Sequence, residues 1–351
     1  MAVAQSELEG FRDSTKVVGV DVESRYDILD STGYWQDSSQ TASVFEAQLN
    51  SYTLFTDATS ANFGFSREPV WLKIRIDYQG VAAHSTRYLD MGTHQLSDVR
   101  FYHFVNGELV DQQEITEQRR FSERSVPHRR QAFKFQMPPG EQTIYIRAAA
   151  RVGLSILPTL TTAAKFNADA AQMDLVMAFF YGALMVMALY NFMVYRSTKD
   201  SLFLTHVIVI LTLFSWSVAS SGIGFQYLWP EDPVLTKHMQ RISISLLSGS
   251  LGLFTLTMFS SVFWFKNLGL LLKLSAGATL VAAVLPLFEW FPPIGFLLIM
   301  TSPLVCIYIA LEVLRRGLRG AYHYALAWCL ILCGVIIGIL RSTGTVPLNF
   351  Y

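Results

Sequence analysis

The chain has 351 residues, 27 basic against 27 acidic side chains, and only 15% charged residues, where a typical soluble domain carries about 25%. With 13% aromatics it is no disordered tail, and without a basic excess it is no nucleic-acid binder. At 52% apolar residues and a mean hydropathy of +0.33 it is too apolar for a fully soluble enzyme and too polar for a wholly embedded chain. Those averages hide two unlike halves. Beyond Gln172 the sequence carries ten basic and six acidic side chains, a balance of +4, so the residues up to Gln172 carry −4.

At the start, Ala2-Val3-Ala4 has the A-x-A form of a signal-peptidase site, so residues 1–14 read as an export-signal remnant or a flexible start. From about Thr15 to Leu160 short strand-like runs alternate with turn signals. Val70 to Tyr78 has period two, with Leu72, Ile74 and Ile76 on one face and Trp71, Lys73, Arg75 and Asp77 on the other. Val99 to Val105 leads into Asn106-Gly107, a hairpin turn because both residues tolerate positive φ, and Glu108 to Gln113 returns. Gln131 to Met137 aligns Phe133, Phe135 and Met137; Pro138-Pro139-Gly140 turns the chain. Thr143 to Ala149 then aligns Ile144, Ile146 and Ala148, with Tyr145 and Arg147 opposite. Short strands with regular turns predict a β-sandwich over residues 15–165.

Six apolar runs follow within 173–341: Asp174–Tyr195, Leu202–Ala219, Ile242–Phe263, Leu268–Phe288, Ile294–Leu314 and Ala321–Leu340. Each approaches the roughly 20 residues a bilayer requires. The joints after the first, third and fifth runs concentrate the basic residues, among them Arg196, Lys199, Lys266, Arg315, Arg316 and Arg319. By the positive-inside rule those joints are cytoplasmic and the N-terminal half lies outside. The chain then reaches Tyr351 outside. A cytoplasmic output needs one more span, so the expectation is a fragment or an unusually short variant, with 342–351 joining to a seventh span. All three cysteines (Cys306, Cys329, Cys333) fall in the apolar runs and read as small packing residues.

The stretch Tyr181 to Pro230 contains Tyr181-Gly182, Tyr190-Asn191, a polar joint ending at Asp200, and Gly222-Ile223-Gly224-Phe225-Gln226-Tyr227-Leu228-Trp229-Pro230. It resembles the first two helices of the bacterial seven-transmembrane receptors with diverse intracellular signalling modules, the DISM family. Val70-Trp71-Leu72, Phe121 with Arg124, Pro127-His128-Arg129, Phe133 and Thr143 to Arg147 are similar to the type-two extracellular sensor domain of that family. The resemblance implies a jelly-roll-like β-sandwich, similar to carbohydrate-binding modules, in the periplasm. It implies a polytopic α-helical bundle in the bacterial inner membrane, with six of seven spans present. It places any kinase or diguanylate cyclase output beyond this chain, so no enzyme and no cofactor are expected here.

Eight side chains are the candidate ligand-binding set: Trp71, Arg75, Tyr102, Arg124, His128, Arg129, Tyr145 and Arg147. An exposed Trp71 beside Lys73 and Arg75 could stack on a sugar ring; the competing reading buries it against the second sheet or a loop. Arg124, His128, Arg129 and Arg147 suit a carboxylate or phosphate, and equally the domain's own carboxylates. Tyr102 and Tyr145 can line the same face or serve packing. Within the spans, Asn191 and His206 read as interhelical hydrogen-bonding residues, and Glu312 as a partner of Arg315 or Arg316. The expected partners are the lipid bilayer and a periplasmic small-molecule or carbohydrate ligand, with a second copy or a signalling protein as a further partner. The function read from all this is a membrane signalling receptor. The alternatives are a transporter or channel with an accessory domain, and a membrane-tethered sugar-binding or hydrolytic domain.

Overall fold

The structure, a computed structural model, describes residues 15–20, 25–55, 61–64, 66, 68–80, 85–150, 153–259, 265–284, 292–317 and 321–342. The Ala2-Val3-Ala4 stretch and the joint at 343–351 lie outside them. The chain falls into two compact units, the one Met1–Ala171 together with the residues from Ile337 on and the other Gln172–Ile336.

The first unit is built of β1 (Val17–Val20), β2 (Arg25–Asp27), β3 (Gly33–Gln36), β4 (Thr53–Leu54), β5 (Ala61–Asn62), β6 (Val70–Tyr78) and β7 (Ser85–Asp90). It continues with β8 (Leu96–Val105), β9 (Glu108–Thr116), β10 (Ala132–Met137), β11 (Gly140–Ala150), β12 (Ser155–Ile156) and β13 (Thr159–Thr161). A seven-stranded sheet runs β4-β3-β6-β11-β8-β9, with β1 parallel to β6; a four-stranded sheet runs β10-β7-β13-β2. The β8–β9 hairpin turns at Asn106 (φ 52) and Gly107 (φ 82), the left-handed pair that lets two strands keep their twist through a tight turn. Alternation along β6 buries Leu72, Ile74 and Ile76 in one core together with Ile144 and Ile146 of β11 and Leu89, Phe133, Phe135 and Leu160 of the smaller sheet. Phe101 meets Phe133 and Phe135 at 5.2 and 5.3 Å between ring centroids, so aromatic rings seal the space between the sheets. A short helix, α1 (Val44–Leu49), opens with a reciprocal cap. The Ser43 hydroxyl accepts from the Glu46 N–H, and the Glu46 carboxylate accepts from the Ser43 N–H.

Six longer helices follow: α2 (Ala163–Thr198), α3 (Ser201–Ser220), α4 (Pro233–Met258), α5 (Phe265–Val284), α6 (Pro292–Arg315) and α7 (Ala321–Ser342). They fall where the six apolar runs were read. Among the described residues α2, α3 and α4 are long and apolar enough to cross a membrane; α5 and α7 hold shorter apolar stretches, Gly269–Ala282 and Tyr322–Gly338. Many of their outward side chains, Leu175, Phe179 and Leu330 among them, are large and exposed, as lipid-facing surfaces are.

Helix boundaries follow from the local chemistry. Lys199 takes φ +59 after α2, and the Asp200 carboxylate caps α3 by accepting from the Leu202 N–H at 2.9 Å. Asp232 caps α4 the same way, followed by Pro233 in the first turn, where a missing N–H costs nothing. Helix α4 is closely packed. Its Ser245, Ser248, Gly249, Gly252 and Thr255 are buried, and the Ser248 hydroxyl donates to the Ile299 carbonyl of α6 at 2.6 Å. A Cβ at Gly249 would lie 2.7 Å from Thr279 Oγ1, and one at Gly252 would lie 2.5 Å from Ser302 Oγ. Between α3 and α4 the chain makes a π-turn, Gly224–Leu228. The Trp229 ring folds back over Gly224, and its indole N–H donates to Thr236 Oγ1 at 2.9 Å.

Candidate functional site

The register of the large sheet gathers five of the eight candidate residues on one face. Across the strands Trp35, Trp71, Arg147 and Arg100 form one row. Lys73, Tyr145 and Tyr102 form the next, and Arg75, Thr143 and Phe104 a third. Because side chains alternate along a strand, all three rows point away from the core that Leu72, Ile74 and Ile146 fill.

This outer face is largely covered. Trp71 is fully buried, and Tyr102 and Tyr145 nearly so, in a cluster separate from the main core that also contains Tyr52, Phe104 and Val44 and Ala47 of α1. Trp71 is therefore not an exposed stacking platform. It is buried, though the cover comes from α1 and not from the second sheet. Its ring stacks on Tyr102 at 5.8 Å, and its indole N–H has no hydrogen-bond partner among the described residues. The Lys73 ammonium sits over the rings of Tyr52 and Tyr145 at 5.6 and 5.8 Å. Arg147 pairs with Asp98 at 2.6 Å and donates to the Gln40 carbonyl at 2.9 Å, tying the sheet to the segment that leads into α1. Arg75 lies 3.5 Å from Glu141 at the exposed margin. Beside α1 a cavity of about 260 Å³ opens, lined by Gln48, Phe104, Asn106, Glu141, Thr143 and Tyr145 among others.

Arg124, His128 and Arg129 lie apart from these five. They belong to the segment between the Phe121–Glu123 turn and β10, beside the smaller sheet. The Arg124 guanidinium donates to the carbonyls of His128 and Arg129 and lies over the Phe121 ring at 4.9 Å. Desolvation lowers its pKa to about 10. The His128 ring meets Phe166, in the first turn of α2, edge-on at 5.5 Å. Arg130 lies over the same Phe166 ring and pairs with the buried Asp90 carboxylate. Val126, Ala132 and Tyr88 complete a socket in which Phe166 is buried. These side chains hold a loop and the start of a helix.

In the bundle, His206 Nδ1 meets Asn191 Oδ1 at 3.1 Å, the interhelical bond read from sequence. Glu312 pairs with Arg316, one turn on, at 2.6 Å. Cys306 is buried 3.4 Å from Thr255 Oγ1, which also meets the Tyr324 hydroxyl at 2.8 Å. Cys329 and Cys333 are exposed on α7, so only Cys306 packs inside the unit.

Sequence reasoning did not single out Tyr52, Phe104 or α1 as parts of the covered face. The cap signature Ser43-Val44-Phe45-Glu46 was the available signal for α1. Residues 173–351 match the family model described as 7TM diverse intracellular signalling, and residues 30–162 match the one described as 7TMR-DISM extracellular 2. No curated protein matches the chain.

Proposed function

The chain belongs to the 7TM diverse intracellular signalling family, receptors with an extracellular domain ahead of a membrane bundle, and on that premise we propose that it senses a periplasmic small molecule or carbohydrate. The β-rich unit acts as a jelly-roll-like β-sandwich outside a bacterial inner membrane, and the outer face of its large sheet is the ligand surface. The six helices act as six spans. Ligand binding biases the bundle between two packings, and the shift is relayed to a cytoplasmic output. A ligand achieves this only through different affinities for the two states.

One observation carries the reading. Trp71, Arg75, Tyr102, Tyr145 and Arg147 converge on one face, with aromatic rings and cations in adjacent rows and a cavity at its edge. Arg124, His128 and Arg129 are left out of the ligand surface, since they hold the socket around Phe166.

A thermal-shift screen of the full chain in lipid nanodiscs, with mono- and disaccharides and small anions, tests this. The expected result is a raised melting temperature with at least one ligand class, and an affinity reduced about tenfold by Arg75→Ala, the worth of one charge-assisted hydrogen bond. A screen in which no class shifts melting would turn the reading toward a protein partner.

A further inference from the structure

We infer that a latch joins α4 to α6, and that the bundle changes packing by exchanging one hydrogen-bond donor for another at the Ile299 carbonyl. This rests on the reading of the helical unit as a membrane bundle that shifts between two packings.

Pro303 stands inside α6. A proline has no N–H to donate, and its ring crowds the carbonyl four residues earlier. In α6 that carbonyl belongs to Ile299. In hydrocarbon, with no water to serve it, such a carbonyl has to be paired by protein. The Ser248 hydroxyl of α4 does this at 2.6 Å. Neighbouring hydroxyls behave differently. Ser243, Ser245, Ser250 and Thr255 of α4 and Ser275 and Thr279 of α5 each donate to a carbonyl three or four residues earlier in their own helix. Ser248 instead reaches across to the carbonyl that the proline has released.

Ser302, the residue before the proline, supplies the alternative donor. Its side chain is fully buried, and its hydroxyl makes no hydrogen bond of ordinary geometry among the described residues. The Cys306 thiol, one turn on, lies near it but is a weak partner already engaged with Thr255. The Ser302 oxygen occupies the room that Gly252 of α4 leaves. Ile299 lies three residues before Ser302, the spacing at which Ser250 and Ser275 donate within their own helices. Rotation of the Ser302 side chain therefore brings a second donor to the same carbonyl.

Two arrangements follow, and the Ile299 carbonyl is paired in both. In the latched one, Ser248 ties α4 to α6 and Ser302 is idle. In the released one, Ser302 serves Ile299, and Ser248 donates within α4 as its neighbours do. The gain at Ser302 offsets the lost interhelical bond, and such a near balance keeps a minor packing populated. With the latch open, α6 bends at Pro303, the kind of position where helices kink, and the half leading to Arg315 swings away from α4.

Pulsed dipolar spectroscopy on the full chain in lipid nanodiscs tests the latch. Spin labels go on Leu253→Cys of α4 and Leu311→Cys of α6, both exposed positions, with the exposed Cys329 and Cys333 changed to serine. The expected result is two distances, the shorter one dominant. Ser248→Ala should raise the ratio of longer to shorter about fivefold, the worth of one hydrogen bond, and Ser302→Ala should lower it by a similar factor. Pro303→Ala gives Ile299 an N–H partner, so adding Ser248→Ala should then leave the ratio unchanged. An equal effect of Ser248→Ala with and without the proline overturns the latch. An unchanged ratio in Ser302→Ala overturns the exchange, and that variant keeps the test decisive even if Pro303→Ala fails to fold. Two distances that none of these substitutions alters overturn the latch and leave the two packings standing. A single distance in every variant overturns the two packings on which this inference rests.

Discussion

His103 shows how a single residue couples the sensor fold to pH. It is buried on the core side of β8, its Nε2 2.7 Å from the Gln142 amide oxygen and its ring against Phe135 at 5.1 Å. Burial holds its pKa below the ordinary 6.5, an effect only partly opposed by Gln142 and Asp111. In the unfolded chain the imidazole titrates at its ordinary value, so below pH 6.5 the unfolded state binds more protons. Stability is thus fully present above that pH and falls as the pH drops. Amide protection of β8 and β11, corrected for intrinsic exchange, should fall by up to about 2 kcal/mol between pH 7 and pH 5. In His103→Gln that dependence should flatten. At this scale the sequence was readable where residues sit on a strand with strict period two, as Trp71, Arg75, Tyr145 and Arg147 do. Arg124, His128 and Arg129 lie in a loop, which has no period, so their composition alone made them look like one set with Arg147.

The same contrast governs whole elements. Strands β6, β8, β10 and β11 and the β8–β9 hairpin were readable because apolar alternation and turn chemistry agree there. Strand β7 was not, because buried Arg87 and Asp90 break its alternation, and β13 was not, because Thr159 and Thr161 are buried beside one leucine. All six long helices were readable from apolar length, but the reason α4 packs closely was not, since small residues signal approach only once a neighbour is known. Gly252→Leu should therefore prevent α4 from seating against α6. The detergent-solubilised chain should lose its single gel-filtration peak and melt well below the wild type. Gly277→Leu is the control, because nothing lies within 4 Å of the Cβ it adds, and it should leave the peak unchanged.

For the molecule as a whole, the balanced net charge is the sum of an acidic sensor unit and a helical unit whose alternate joints concentrate the basic residues. Reporter fusions at Lys199 and Arg316 should report the cytoplasm, and one at Lys237 the periplasm; a cytoplasmic signal at Lys237 would overturn the assigned orientation. The π-turn between α3 and α4 carries a further consequence. Gly224 leaves no room for a side chain beneath the Trp229 ring, and that ring is bonded onward to Thr236 of α4. The connector is thereby packed at Gly224 and tied by one hydrogen bond to the first turn of α4. Along the helices themselves, the Thr212 hydroxyl of α3 meets Ser250 Oγ of α4 at 2.8 Å and the Gln240 amide of α4 donates to the Ala219 carbonyl of α3 at 3.3 Å, so α3 and α4 are joined at their flanks as well as through the connector.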